Sequence, residues 1–277
     1  MIDAHVHAWP EWPYPISRRD GRDDASAPRL LRRLDDEGIE SCWLIAAEVP
    51  GGRTPTPNNE YAEAARVLAP ARVRLFVDVD SRWAPSYHAT GACDRLARLV
   101  ERFPLASGVV HYLAAEVDGW LAGGEGIAWL RELERRDLVL NLALTPAWHR
   151  TLAAAAQAVP DLPFVLHHLA GVTMAEELDG LEPLAETANI AVKLSGAHYL
   201  DPRILAEPSG VRDVAARLAE VFGVERLVWG SDAPVDGKYV TADEALQLRA
   251  QLLEPFSPTE RISVTGSNAA RLIRRGR

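Results

Sequence analysis

The sequence predicts a (β/α)8 TIM barrel, one domain over residues 1–277, with an extra C-terminal helix. Three observations predict it. Short apolar runs alternate with amphipathic stretches from end to end, and no linker or composition shift interrupts them. The strand-like runs start near residues 2, 40, 73, 108, 138, 163, 190 and 226, each followed by a helical period. Strands separated by helices must pair in parallel, and eight units at about 32-residue spacing match a barrel of about 250 residues. An open doubly wound sheet is the alternative, but no Gly-x-Gly-x-x-Gly follows a strand.

The first strand is Met1-Ile2-Asp3-Ala4-His5-Val6-His7. Side chains alternate along a strand, so Asp3, His5 and His7 are expected on one face, with the two imidazoles about 7 Å apart. From residue 23 the period becomes helical: Ser26 can cap, Pro28 suits the first turn, Leu30, Leu31 and Leu34 form a stripe, and Gly38 stops it. The apolar run 42–47 suits a strand covered on both faces. A Gly-, Thr- and Pro-rich loop at 50–57 and an amphipathic stretch at 59–68 lead to a strand at 73–79. Helices at 93–103, 126–136, 147–158, 176–187 and 211–222 precede strands at 108–113, 138–144, 164–169, 190–194 and 226–229. Helices at 241–253 and 258–273 close the chain, the latter opened by the capping box Ser257-Pro258-Thr259-Glu260.

Hydrophobic residues make up 48% and charged residues 25%, the balance of a folded globular chain. A net charge of −9 repels phosphate backbones and anionic lipid, which argues against nucleic-acid and membrane partners. The basic run 271–277 reads as a solvated helix end. Two cysteines, Cys42 and Cys93, form neither a disulfide framework nor a metal knuckle. With no signal-like or membrane-spanning apolar run, the expectation is a cytoplasmic protein acting on a small molecule. A homo-oligomer is left open.

In a barrel the chemistry sits at the strand carboxyl ends. The residues there are His5 and His7, Glu48, Asp78 and Asp80, His111 and Tyr112, His167 and His168, Lys193 and Ser195, and Ser231 and Asp232. Strand 5 offers only Asn141 and Thr145.

Three clusters, Asp3-Ala4-His5-Val6-His7, Val165-Leu166-His167-His168-Leu169-Ala170-Gly171 and Val228-Trp229-Gly230-Ser231-Asp232-Ala233-Pro234, together resemble the amidohydrolase superfamily, specifically its amidohydrolase-related branch. Asn59-Glu60-Tyr61, Val192-Lys193-Leu194-Ser195-Gly196 and Thr265-Gly266-Ser267-Asn268-Ala269-Ala270-Arg271-Leu272 are similar to further segments of that branch. Ala8-Trp9, the Lys-Leu-Ser-Gly run and the strand-6 histidine resemble the sugar-lactone and dicarboxylate-lactone hydrolases. The resemblance implies hydrolysis of a lactone of a sugar-derived or ring-cleavage acid. The branch's metal-dependent decarboxylases add a histidine at the end of strand 5; here His149 falls in helix 5 instead. The lactonases also carry an arginine after Gly-Val in strand 4, where this chain has Val110, so either the substrate lacks a carboxylate at that point or it is bound elsewhere, for instance through Arg53 or Arg82.

Lactone opening needs a held water, a base, and donors or positive charge at the oxyanion. Asp232, on the last strand beside the first, is the expected base. A divalent metal, Zn²⁺ in the first instance, would take His5, His7 and Asp232 as ligands and keep a position for water. Without one, Asp232 alone would activate water and the histidines would bind the oxyanion. His168 is expected to polarise the carbonyl or protonate the leaving alkoxide; strand alternation lets only one of His167 and His168 face the mouth, and because the resembling enzymes usually show an aspartate where His167 stands, the resemblance assigns His167 to packing or a supporting role. Trp9, Lys193, His198 and His111 are expected to contact substrate; Trp12 and Tyr14 share the loop after strand 1. Glu48, Asp78 and Asp80 read as loop caps, and His88 as a loop residue. The alternatives are a metal-dependent decarboxylase of an aromatic or unsaturated acid and a non-catalytic ligand-binding barrel.

Overall fold

Eight strands form one parallel sheet in chain order, β1 (Ile2–Val6), β2 (Ser41–Ile45), β3 (Val73–Asp78), β4 (Gly108–Tyr112), β5 (Val139–Ala143), β6 (Phe164–Leu166), β7 (Ile190–Leu194) and β8 (Leu227–Trp229). In this computed structural model the described residues are 1–19, 21, 24–47 and 58–275. The sheet curls so that β1 meets the segment after β8: Val6 bridges Ala233, His7 N–H donates to the Ala233 carbonyl at 2.7 Å, and Asp232 N–H to that of His5 at 2.9 Å. This is the predicted (β/α)8 barrel.

The helices are α1 (Ala27–Asp36), α2 (Asn59–Leu68), α3 (Ala92–Arg102), α4 (Gly124–Arg135), α5 (His149–Gln157), α6 (Glu182–Ala185), α7 (Pro202–Ala206), α8 (Gly210–Phe222), α9 (Ala242–Leu253), α10 (Pro258–Ile262) and α11 (Asn268–Arg275). Local chemistry sets several ends as the sequence predicts. Ser26 accepts from Arg29 N–H at the start of α1, and Ser257 with Glu260 forms the reciprocal box that opens α10. The expected helix at 176–187 is instead a 3₁₀ turn, Ala175–Gly180, followed by the single-turn α6, whose Pro183 can stand only in a first turn. The expected helix at 258–273 is split by a π turn, Ser263–Ser267. None of the helices among the described residues is long and apolar enough to cross a membrane.

Two apolar layers result. Inside the barrel, Ala4, Trp43, Ile45, Phe76, Val110, Val139, Val165 and Val228 pack together, and Ala269, Leu272 and Ile273 of α11 close the end away from the strand carboxyl termini. Outside, Val6, Leu44, Leu75, Val109, Leu140, Leu166 and Leu194 pack against the helices. With both ends of side-chain alternation buried, continuous apolar runs are what such strands require.

Candidate active site

The alternation expected for β1 fails at its centre. The register against β2 shifts between Asp3 and Val6, a bulge. Ala4 faces the barrel interior, and His5 after it also turns inward. Asp3 therefore parts from the histidines and faces α1. Its carboxylate accepts from His5 N–H at 3.2 Å, Ser231 N–H at 2.9 Å and Arg33 Nη1 at 3.4 Å. Arg33 also donates to Ser231 Oγ at 2.9 Å. This polar knot ties the bulge to the end of β8.

Asp232 lies three residues beyond β8 rather than on it, in a left-handed backbone conformation with φ 65°. That turn aims its buried carboxylate across the mouth. Oδ1 stands 3.4 Å from His5 Nε2, 3.4 Å from His7 Nε2 and 4.0 Å from His168 Nε2. Oδ2 accepts from the Tyr199 hydroxyl at 2.8 Å and lies 3.2 Å from His198 Nε2. His7 Nδ1 donates to the Ile45 carbonyl at 2.8 Å. A carbonyl only accepts, so in the neutral ring Nδ1 carries the proton and Nε2, facing Asp232, is the nitrogen with the lone pair.

β6 stops at Leu166, short of the expected 169, because His168, Leu169 and Ala170 all take left-handed φ of 45°, 57° and 60°. Alternation ends there, and both His167 and His168 turn toward His5, at ring-centroid distances of 4.4 and 4.7 Å. His168 Nδ1 is 3.1 Å from Ser195 Oγ. Two glycines permit this crowding. A Cβ on Gly230 would lie 2.6 Å from His5 Cβ, and one on Gly196 would lie 2.5 Å from His168 Nδ1.

Burial dominates the electrostatics. It drives the imidazoles of His5 and His167 well below their ordinary range and that of His168 to about 4, so these rings are neutral near pH 7. Burial also lowers the Lys193 ammonium, which Asp232 and Asp3 only partly offset. For Asp232 burial pushes upward, but positive charge on His168 when that ring is protonated, and N–H donation from His198, His5 and His7, outweigh it and hold the carboxyl well below the usual range. A buried, ionised carboxylate ringed by imidazole nitrogens is able to bind a cation or orient a water.

The other expected contacts divide. Lys193 lies in the barrel, its Nζ 3.0 Å from His5 Nδ1. His198 joins the Asp232 cluster. Trp9 stacks on His7 at 5.1 Å and donates from Nε1 to the Ala47 carbonyl, so it supports a site histidine and is itself buried. His111 is not brought to the cluster. It follows inward-facing Val110 and so points toward the helix layer, where Nδ1 bonds the Val79 carbonyl and Nε2 lies 3.2 Å from His88 Nε2. His88 pairs in turn with Asp118, linking the loops after β3 and β4. Asp78 accepts from Ser81, and Asp80 from Ser86 and Arg95, as loop caps do. Arg82 stacks on Trp83. Glu48 and Arg53 lie outside the described residues.

The sequence reading missed Tyr199, Tyr239 and Lys238. Tyr239 stacks on His198 at 5.1 Å, and the Lys238 ammonium sits 3.9 Å over the Tyr14 ring. The only signal for Tyr199 is its place beside His198 after the Ser-Gly that follows β7.

One ligand atom from each of His5, His7 and Asp232 lies within 4.8 Å of the others, and the same holds for His5, His167 and His168. The first set combines imidazole nitrogen and carboxylate oxygen, donors that suit Zn²⁺, and the fixed His7 tautomer presents a lone pair to it.

The amidohydrolase family profile matches residues 2–275. L-fucono-1,5-lactonase of Burkholderia ambifaria is 27% identical over 294 residues, covering 99% of this chain and 95% of that protein. An uncharacterised protein of Sinorhizobium fredii is 27% identical over 149 residues, a match spanning 52% of this chain and only half, 50%, of that protein. Among solved structures, an amidohydrolase from Burkholderia multivorans with bound Zn superposes with a TM-score of 0.75 at 20% identity, covering 99% of this chain and 98% of the other. A probable 2-pyrone-4,6-dicarboxylic acid hydrolase from Acinetobacter baumannii, with citric acid bound, gives 0.72 at 19% identity and 98% of both chains. At such identities the superpositions speak to fold alone.

Proposed function

The chain belongs to the amidohydrolase family, and on that premise we propose that its site opens a lactone or related cyclic ester of a small sugar-derived or ring-cleavage acid. The observation that carries the reading is the convergence of three imidazole nitrogens, from His5, His7 and His168, on a single oxygen of the buried Asp232 carboxylate. The sugar-lactone activity named for the Burkholderia ambifaria relative supports it.

The residues divide the work. With Oδ2 occupied by Tyr199 and flanked by His198, Oδ1 is the face of Asp232 left to take the proton of an attacking water. The new bond forms between that water's oxygen and the acyl carbon; the ring C–O bond breaks, and the alkoxide takes a proton to give the hydroxy acid. His168, neutral and 4.0 Å from Asp232, is placed to pass that proton from the carboxyl to the leaving oxygen. A divalent cation held by His5, His7 and Asp232 would polarise the acyl oxygen and lower the pKa of the attacking water.

Decarboxylation is less well supported, since β5 ends at Ala143 and His149 opens α5 with Nε2 on the Ala170 carbonyl, away from the mouth. The test is a panel of neutral and carboxylated lactones, assayed by acid release with wild type and Asp232→Asn. Turnover of a panel member is expected, reduced by roughly 10²–10⁴ in the variant. Undiminished turnover in Asp232→Asn would remove the assigned base, and CO₂ release from an aromatic acid without lactone turnover would replace the reading.

A further inference from the structure

His167 is a buried histidine. Both its ring nitrogens are sequestered from solvent and lack a hydrogen-bond partner among the described residues. Four other buried imidazoles are anchored, His5 on Lys193, His7 on the Ile45 carbonyl, His111 on the Val79 carbonyl and His149 on the Ala170 carbonyl, and His198 Nε2 faces Asp232 Oδ2 at 3.2 Å. Burying an imidazole without a partner costs stability that an apolar residue would not, so packing alone does not account for it.

Its position supplies the missing partner's character. The backbone of His167 is still strand-like, its N–H bonded to the Leu142 carbonyl at 2.9 Å, and the left-handed turn begins only at His168. The two adjacent rings therefore flank the same side chain. His167 meets His5 edge-on at 89° and lies 5.5 Å from the His168 ring. One nitrogen each of His5, His167 and His168 falls within 4.8 Å of the others. Three neutral imidazoles so placed, one with no other bond to make, are donors without an acceptor.

We propose that His167 is a metal ligand, completing with His5 and His168 an all-imidazole cradle that adjoins the His5–His7–Asp232 set and shares His5 with it. The inference rests on the preceding reading only in taking the pocket to hold a divalent cation, and it is independent of the substrate. Two consequences follow. Nitrogen donors select borderline-soft ions such as Zn²⁺ and Co²⁺ over Mg²⁺ and Ca²⁺, which prefer oxygen. Loss of either His7 or His167 should weaken binding yet leave the other cradle, whereas loss of both should abolish it.

The experiment is titration of metal-stripped full-length protein with Co²⁺, read as visible absorption and as bound metal per chain, followed by Zn²⁺ competition. The proteins are wild type, His167→Phe, His167→Asn, His7→Ala and the His7→Ala/His167→Phe double variant, with circular dichroism as the check on folding. Wild type is expected to bind Co²⁺ and to ignore a large excess of Mg²⁺. Each His167 variant should weaken Zn²⁺ by about tenfold or more and alter the Co²⁺ band positions, and the double variant should bind neither ion. The Asn variant serves if the Phe variant does not fold. Unchanged Co²⁺ spectrum and Zn²⁺ affinity in the folded His167 variants, or wild type that binds neither ion, would overturn the proposal. Lactone turnover is measured separately on the same samples, so that metal binding without hydrolysis counts only against the hydrolytic reading.

Discussion

Lys193 Nζ lies 3.0 Å from His5 Nδ1, on the opposite edge of the imidazole from Asp232, whose Oδ1 is 3.4 Å from His5 Nε2. The lysine is fully buried, and its ammonium also faces the Trp43 ring at 5.6 Å. His5 is thus held from behind by one nitrogen while the other looks into the site.

Lys193 is accordingly a positioning residue. Replacement of a buried ionisable group by an apolar one of similar volume is often neutral or stabilising, so Lys193→Met is expected to fold with a Tm at or above that of wild type. With His5 released, kcat should fall by about 10–100-fold, the usual effect of losing a group that orients a ligand, while KM changes little. Thermal denaturation and steady-state kinetics on one preparation check both halves. A variant that loses stability and keeps its rate would reverse the assignment.

Tyr199→Phe removes the hydroxyl that donates to Asp232 Oδ2 at 2.8 Å. The carboxyl is held low, so losing a donor to its ionised form must raise its pKa. A base works only when ionised, and the acidic limb of kcat/KM should therefore move to higher pH, by about one unit for a charge-assisted bond. A rate reduced equally at every pH would assign Tyr199 to substrate contact instead.

The positions most legible in the sequence are those set by repeating local pattern. Strand and helix alternation gave the barrel, and Ser26 and Ser257 marked helix starts because a cap is satisfied within four residues. The site departs from that pattern wherever distant groups override it. Alternation groups Asp3 with His5 and His7, but the bulge turns Asp3 outward onto Arg33 and Ser231, partners 30 and 228 residues away. Alternation likewise admits only one of His167 and His168 to the mouth, and the left-handed run from His168 admits both. Parity alone does foretell the fate of His111: one residue after an inward valine, it must face the helices. Tyr199 and Lys238 come from loops, where no period exists to read.

Acid should destabilise the fold through buried neutral histidines. Burial lowers His111 to about 4 against an ordinary 6.5, with His88 adding to the shift while the Val79 carbonyl, Asp80 and Asp118 oppose it; His168 is also held near 4. A group whose folded pKa is lowered binds its proton more readily when unfolded. Its stabilisation is therefore complete above about pH 6.5 and is lost as the pH falls toward 4. At about 1.4 kcal/mol per pKa unit, each ring is worth roughly 3 kcal/mol over that window. Urea midpoints from pH 7.5 to 4.5 should fall steeply in wild type and less steeply in His111→Gln, whatever that variant's absolute stability. Parallel slopes would mean that His111 protonates in the folded protein without cost.

Gly230→Ala tests whether the approach of β8 to β1 sets the position of His5. The added Cβ would lie 2.6 Å from His5 Cβ and 2.9 Å from His5 N, a distance atoms of the two strands must widen to accommodate. Neither neighbour is a flexible tip: one is the root of the imidazole, the other backbone in a bulge already pinned by Asp3. Overpacking of this kind costs about 1–3 kcal/mol, and here the movement that relieves it shifts a site ligand. Turnover should consequently fall further than stability does. Gly124→Ala, at the start of α4 with nothing within 4 Å of the new methyl, is the control, expected to be neutral or to gain up to about 1 kcal/mol with activity intact. Equal effects of the two substitutions on turnover, measured alongside urea midpoints, would show that the packing of Gly230 on His5 does not govern the site.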